Sequence, residues 1–87
     1  MEKNSSENLI ALLRSRGERL TPQRRTVIDV LAKSGDHLAL SDILAASEAH
    51  GIALTEPTAY RILQWLKAQG IVSQTDLGGS GVVYQVI

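Results

Sequence analysis

The pattern of periodicities along the 87 residues predicts an α+β fold, mostly α: a winged helix-turn-helix of four helices followed by a two-stranded wing. Three observations predict it. Up to Gly70 the apolar residues recur at three- and four-residue spacing between helix start and stop signals. After Gly70 they alternate in two β-branched runs parted by Gly78-Gly79-Ser80-Gly81. Finally, Thr55–Gly70 reads as a helix with two unlike faces, with a short helix just before it.

Residues 1–5 are polar and are expected to fray. Ser5 or Ser6 can cap a first helix running to about Arg16, with Leu9, Ile10, Leu12 and Leu13 inward and Gly17 ending it. Gly17-Glu18-Arg19-Leu20 is a short connector. Thr21-Pro22 then places a cap before a proline at the first helical position, where a missing N–H costs nothing. The second helix turns Val27, Ile28 and Leu31 inward with Val30 flanking, leaves Arg24 and Arg25 off the stripe, and stops near Ser34-Gly35. Asp36–Leu40 has room only for a turn and a bridging strand. Ser41 is the expected cap of a third helix with Ile43, Leu44, Ala46 and Ala49 as apolar candidates, closed by His50-Gly51. Ile52-Ala53-Leu54 connects it to the fourth.

The fourth helix has Thr55 as cap, Glu56 at the positive end of the dipole, Pro57 in the first turn and Gly70 as terminator. Ala59, Ile62, Leu63 and Leu66 form its buried stripe. At about 100° per residue, Pro57, Tyr60, Arg61, Gln64 and Ala68 fall opposite. Tyrosine, arginine and glutamine near a helix N-terminus suit base edges: stacking, bidentate donation and contact with thymine methyls. The same residues also suit an ordinary solvated face. Ile71–Asp76 and Val82–Ile87 are the strands of a hairpin with a flexible glycine tip.

Composition narrows the function. The length supports one small domain, residues 1–87. With no Phe, one Trp and two Tyr, the core is aliphatic. The absence of cysteine excludes disulfides, thiolate zinc sites and cysteine nucleophiles within this chain. No signal peptide or membrane-length apolar run is visible, so a cytoplasmic protein without a membrane partner is expected. No phosphate loop and no Ser-His-carboxylate set points to an enzyme.

Net charge is zero but unevenly spread. Residues 1–33 carry seven basic side chains against four acidic, +3; the remainder carries two against five, −3. Phosphate contact depends on local charge, so a basic patch on a neutral domain remains a possible footprint.

Arg19-Leu20-Thr21-Pro22-Gln23-Arg24, Pro57-Thr58-Ala59-Tyr60-Arg61-Ile62-Leu63 and Gly70-Ile71-Val72 together resemble the N-terminal DNA-binding domain of the ferric uptake regulator family, bacterial repressors that respond to metals or peroxide. The similarity covers roughly residues 8–87. Pro57 before Thr58 resembles the zinc uptake regulator branch. The resemblance implies a DNA-binding transcription regulator, a repressor of metal-uptake or oxidative-stress genes, or its isolated DNA-binding domain. Its partner would be double-stranded DNA, an A/T-rich palindromic operator. A homodimer is expected of a full-length protein and a monomer of this fragment.

By the same resemblance, Tyr60 and Arg61 reach base edges in the major groove; Gln64, one turn along the outer face, is expected from its position to modulate them. Arg19 enters a narrow A/T-rich minor groove, and Thr58 and Arg24, beside Pro57, serve phosphate contacts. The alternatives are a Tyr60 that covers the core edge and an Arg19 solvated in its loop.

The family's C-terminal dimerisation and metal domain is absent from this chain, so zinc or iron is expected only if such a domain exists in a longer protein. His37 falls where many members place a metal ligand, but Gln85 stands where a companion glutamate is usual, and a neutral amide is a poor ligand. A turn histidine is the other reading of His37. Trp65 is expected to pack against the wing or the first helix, or else to face a partner. Near-zero net charge and exposed-prone Trp65 and Tyr84 leave open a winged-helix protein-interaction module without DNA binding.

Overall fold

A computed structural model describes residues 5–87, so the expected fraying of residues 1–4 lies outside the described residues. Four helices, α1 (Ser6–Ser15), α2 (Pro22–Ser34), α3 (Leu40–Ala49) and α4 (Glu56–Ala68), are joined by three strands, β1 (Leu38–Ala39), β2 (Val72–Asp76) and β3 (Val82–Val86). The sheet is antiparallel in the order β1-β3-β2, with Leu38 opposite Tyr84 and Gln74 opposite Tyr84 on the other side. The wing therefore has a third strand at its root, the bridging segment foreseen between the second and third helices.

The caps explain where the helices start. Ser5, Thr21 and Thr55 each accept a hydrogen bond from the backbone N–H three residues on, at 3.2, 3.2 and 3.3 Å. Ser5, expected to fray, is thus the cap of α1. Pro22 and Pro57 occupy first-turn positions of α2 and α4. The third helix departs from expectation: its cap is Ala39, and Ser41 lies inside the helix. The cause is β1, which holds Ala39 extended until the chain turns helical at Leu40. The Asp42 carboxylate compensates by accepting the Ala39 N–H at 3.0 Å.

The core is aliphatic as expected, and it is built mainly by α2 and α4. Val27, Ile28 and Leu31 of α2 meet Ile62, Leu63 and Leu66 of α4, with Leu9, Leu13, Ile43, Ile71, Val72 and Tyr84 closing the sides. Val30 is buried as well. Two apolar candidates point elsewhere: Leu12 is 40% exposed and Ala49 is exposed. Both lie off narrow stripes, Leu9–Leu13 in α1 and Ile43–Ser47 in α3, since each of these helices buries a single line of residues spaced four apart. Ser47 is fully buried, and its hydroxyl has no partner among the described residues.

Gly70 takes φ 76°, the left-handed conformation that ends α4 and turns the chain into the sheet. The wing tip is a single 3₁₀ turn, Gly78–Ser80. It is closed by Leu77 N–H to the Gly81 carbonyl (2.7 Å) and Gly78 N–H to Asp76 Oδ1 (2.8 Å). Gly81, at φ 90° and ψ −158°, occupies a region open essentially to glycine alone.

Asp29 is the polar hub between three helices. It accepts from the Ser6 hydroxyl of α1 at 2.8 Å, pairs with Lys33 at 3.1 Å, and faces His50 Nε2 at the end of α3 at 3.6 Å. Partial burial pushes its carboxyl upward. The Ser6 hydrogen bond, Lys33 and His50 together outweigh this and hold it below the ordinary value. A depressed carboxylate stabilises the fold above its unfolded pKa, and that contribution is lost as pH falls through the folded value.

Two stability measurements follow from these contacts. Asp29→Asn lowers stability in urea unfolding at neutral pH, and the gap to the parent chain narrows as pH drops below about 4, the range of an unfolded aspartate. Ser47→Ala removes a buried, unpartnered hydroxyl and raises stability by about 1 kcal/mol in the same assay.

Candidate nucleic-acid interface

The interface is governed by how α4 is rotated about its axis. Ala59, Leu63 and Leu66 are fully buried and Ile62 is 6% exposed, so the opposite face is turned to solvent by geometry alone. Pro57, Tyr60, Arg61 and Ala68 lie on that outer face, and Tyr60 is 48% exposed. Among the described residues the Arg61 guanidinium has no hydrogen-bond or ion-pair partner, so its donors remain directed to solvent. Thr58 is half-buried at the helix start. Its Oγ1 accepts from the Thr55 hydroxyl at 3.0 Å, which leaves its own hydroxyl hydrogen to donate outward.

Gln64 is part of the same helix but differs in state. It is half-buried, and its Nε2 donates to Gln74 Oε1 of β2 at 2.8 Å. The residue expected on the outer face therefore bridges the helix to the wing.

Arg19 sits in the connector between α1 and α2, exposed, with no partner for its side chain among the described residues. Its carbonyl is anchored by Arg24 Nη1 at 2.7 Å. Arg24 itself is half-buried, its guanidinium 3.9 Å over the Trp65 ring. The structure thus leaves Arg19, Thr58, Tyr60 and Arg61 open to a partner, and already engages part of Arg24 and Gln64.

Neighbouring side chains add to one expectation and correct another. Trp65 is half-buried against the core cluster, which includes residues of the first helix and the sheet, and it is engaged further: it lies under Arg24 of α2, and its Nε1–H donates to Glu18 Oε1 in the connector at 2.9 Å. Tyr84 is not an exposed side chain but is 3% exposed, at the centre of the sheet. Burial, and secondarily the Tyr60 phenol, push its own phenol above the ordinary value. Glu18 and Gln69 went unnoticed in the sequence. Arg16 Nη1 donates to the Gln69 carbonyl and to Gln69 Oε1 at 2.8 and 3.0 Å, a pairing across 53 residues that no local pattern signals.

His37 is exposed. Extending the β1–β3 register by one residue puts it opposite Gln85, and its backbone N–H donates to Asp36 Oδ1 at 2.8 Å. His50 is held by the Ala46 carbonyl (2.8 Å) and Asp29. Among the described residues no group of three or more histidine or carboxylate side chains converges, so these residues do not fit a regulatory metal ion. No helix among them is long and apolar enough to cross a membrane.

The comparisons with known proteins agree with this architecture. The profile of the ferric uptake regulator family matches residues 15–87. The ferric uptake regulation protein of Synechococcus elongatus is 29% identical over 84 residues, covering 94% of this chain and 57% of that protein. The Helicobacter pylori ferric uptake regulator, whose structure is described as having three functional metal binding sites, superposes with a TM-score of 0.75 at 28% identity, over 92% of this chain and 53% of that one. A zinc-bound manganese uptake regulator gives 0.80 at 26% identity, over 91% and 60%. The peroxide sensor PerR of Streptococcus pyogenes gives 0.82 at 23% identity, over 94% and 56%, and shares the fold. The present chain spans little more than half the length of these relatives. With a family match over most of its residues and a winged helix of the same form, it belongs to the ferric uptake regulator family.

Proposed function

We propose that this chain is the DNA-reading part of a metal-responsive transcription repressor. The observation that carries the reading is the pair Tyr60–Arg61: exposed, near the N-terminus of a helix whose other face is locked in the core. Helix α4 enters the major groove. Arg61 donates to two acceptors on a guanine edge and the Tyr60 ring packs on a thymine methyl. Pro57 and Thr58 lie at the phosphate-facing start of the helix, where free N–H groups and the dipole favour an anion. Gln64 sits one turn further along the same helix as a modulator, tied to the wing through Gln74.

Arg19 reaches an A/T-rich minor groove, where a narrow groove concentrates negative potential. Arg24 turns its remaining N–H donors to a phosphate, and the wing tip lies along the backbone. Binding to a promoter would block polymerase. A palindromic operator would be read by a homodimer, with dimerisation and the zinc or iron site supplied by a further domain of a longer protein; as a fragment the chain would be a monomer. Metal-uptake or oxidative-stress genes are the proposed targets. With Tyr84 buried and Trp65 engaged, the protein-interaction alternative rests on the near-zero net charge alone.

Two experiments test this function. Arg61→Ala costs ~1–3 kcal/mol at a selected duplex site and relaxes base preference there, measured by fluorescence anisotropy; unchanged discrimination overturns the role of Arg61. Nitration followed by peptide mass spectrometry modifies Tyr60 and spares Tyr84 in the free protein. Specific duplex protects Tyr60, and modification at the same rate with duplex bound removes it from the interface.

A further inference from the structure

We infer that Trp65 is a positioning residue for DNA reading: it fixes the Arg19 loop at a set distance from the Tyr60–Arg61 face of α4. The inference rests on the function proposed above and concerns a residue to which that function assigns no contact with DNA.

The two reading elements lie on separate pieces of chain. Arg19 belongs to the irregular connector of residues 16–21, and Arg61 to a helix forty residues later. Little in the connector's own backbone fixes its middle. Glu18 N–H closes onto the Leu13 carbonyl at 3.0 Å, which pins the start, and Thr21 caps α2, which pins the end. Leu20 packs against the core, and the polar contacts of the stretch between converge on α4 directly or through Arg24. Arg16 donates to Gln69 at the last turn of that helix. Glu18 accepts from the Trp65 indole at 2.9 Å. The Arg19 carbonyl accepts from Arg24 at 2.7 Å, while the Arg24 guanidinium rests 3.9 Å over the same indole. The ring Glu18–Trp65–Arg24–Arg19 is closed, and Trp65 is its only member on α4. It lies four residues, one helical turn, beyond Arg61, so the indole is a rigid spacer between the two arginines.

A half-buried tryptophan needs neither contact in order to fill its share of the core; leucine or phenylalanine would pack there, and water could take the N–H. Stacking and donation together specify where the loop backbone sits. They leave the Arg19 side chain, the one long side chain of the connector without a partner among the described residues, free to project. Ordering the loop during folding lowers the entropy cost of inserting Arg19 when DNA binds.

A double-mutant cycle with a duplex selected from random sequence tests the assignment. Trp65→Leu weakens binding about 5-fold in the parent chain and less than about 2-fold in an Arg19→Ala background, because the effect passes through Arg19. Trp65→Phe keeps a ring under Arg24 but loses the donor to Glu18, and recovers part of the affinity. Equal losses in the two backgrounds, or no loss, overturn the inference. Amide hydrogen exchange without DNA supplies an independent arm: the Glu18 amide, bonded to the Leu13 carbonyl, exchanges about 10-fold faster in Trp65→Leu, while the amides of α4 remain protected, a local opening rather than global unfolding. Unchanged exchange at Glu18 overturns the tether whatever DNA binding does. If the parent chain binds no duplex, the proposed function fails and the inference with it, and the exchange result then separates that failure from a loop that was never held.

Discussion

The constraint on which the rest of the structure depends is the rotation of α4 about its own axis. Four apolar residues, Ala59, Ile62, Leu63 and Leu66, can be buried together in one orientation only. That orientation turns Tyr60 and Arg61 outward, brings Gln64 within reach of the wing and lays Trp65 against the α1–α2 connector. The hydrophobic effect is non-directional, yet once it has fixed a helical stripe it sets the bearing of every polar group on the other side. The outward presentation of Tyr60 and Arg61 is thus a by-product of core formation. A substitution on the buried stripe would misdirect the outer face before it unfolded the domain.

Electrostatics act on this frame through position. The chain is neutral overall, with its surplus of positive charge in the first third. The fold divides those cations by task. Lys33 neutralises Asp29, Arg16 caps the end of α4 and Arg24 stacks on Trp65, while the side chains of Arg14, Arg19 and Arg25 stay unpaired among the described residues. A count of basic residues overstates the free positive surface because several are already employed inside the domain. Arg19 and Arg61 carry weight as isolated, uncompensated charges at two separated points.

Much of the fold was legible from short-range signals. Thr21-Pro22 and Thr55-Glu56-Pro57 marked helix starts because caps act within three residues. The shift from helical to alternating periodicity marked the wing. The third helix misled for a local reason with a distant cause: Ser41 is a good cap by type, but pairing of Ala39 with Val83 set the helix start two residues earlier. Of the candidate site, the exposed face of α4 was legible because it follows from the stripe. The partners of Trp65, Arg16 and Gln64 were not, since each depends on which helix lies beside it. Tyr84 was misplaced because an alternating strand does not tell which of its faces meets the core when a third strand joins.

That third strand has one more consequence. By pairing with β3, the two residues of β1 turn what would have been an outer strand into the middle of the sheet. The sheet is left with two unlike borders. One is too short to template another chain. The other is β2, whose Ser73, Gln74, Thr75 and Asp76 are polar and end in a negative charge. Open β borders invite edge-to-edge self-association, and brevity and charge are the usual defences. The hairpin's exposed border is thus defended against edge pairing, and its opposite side is closed by a strand of only two residues.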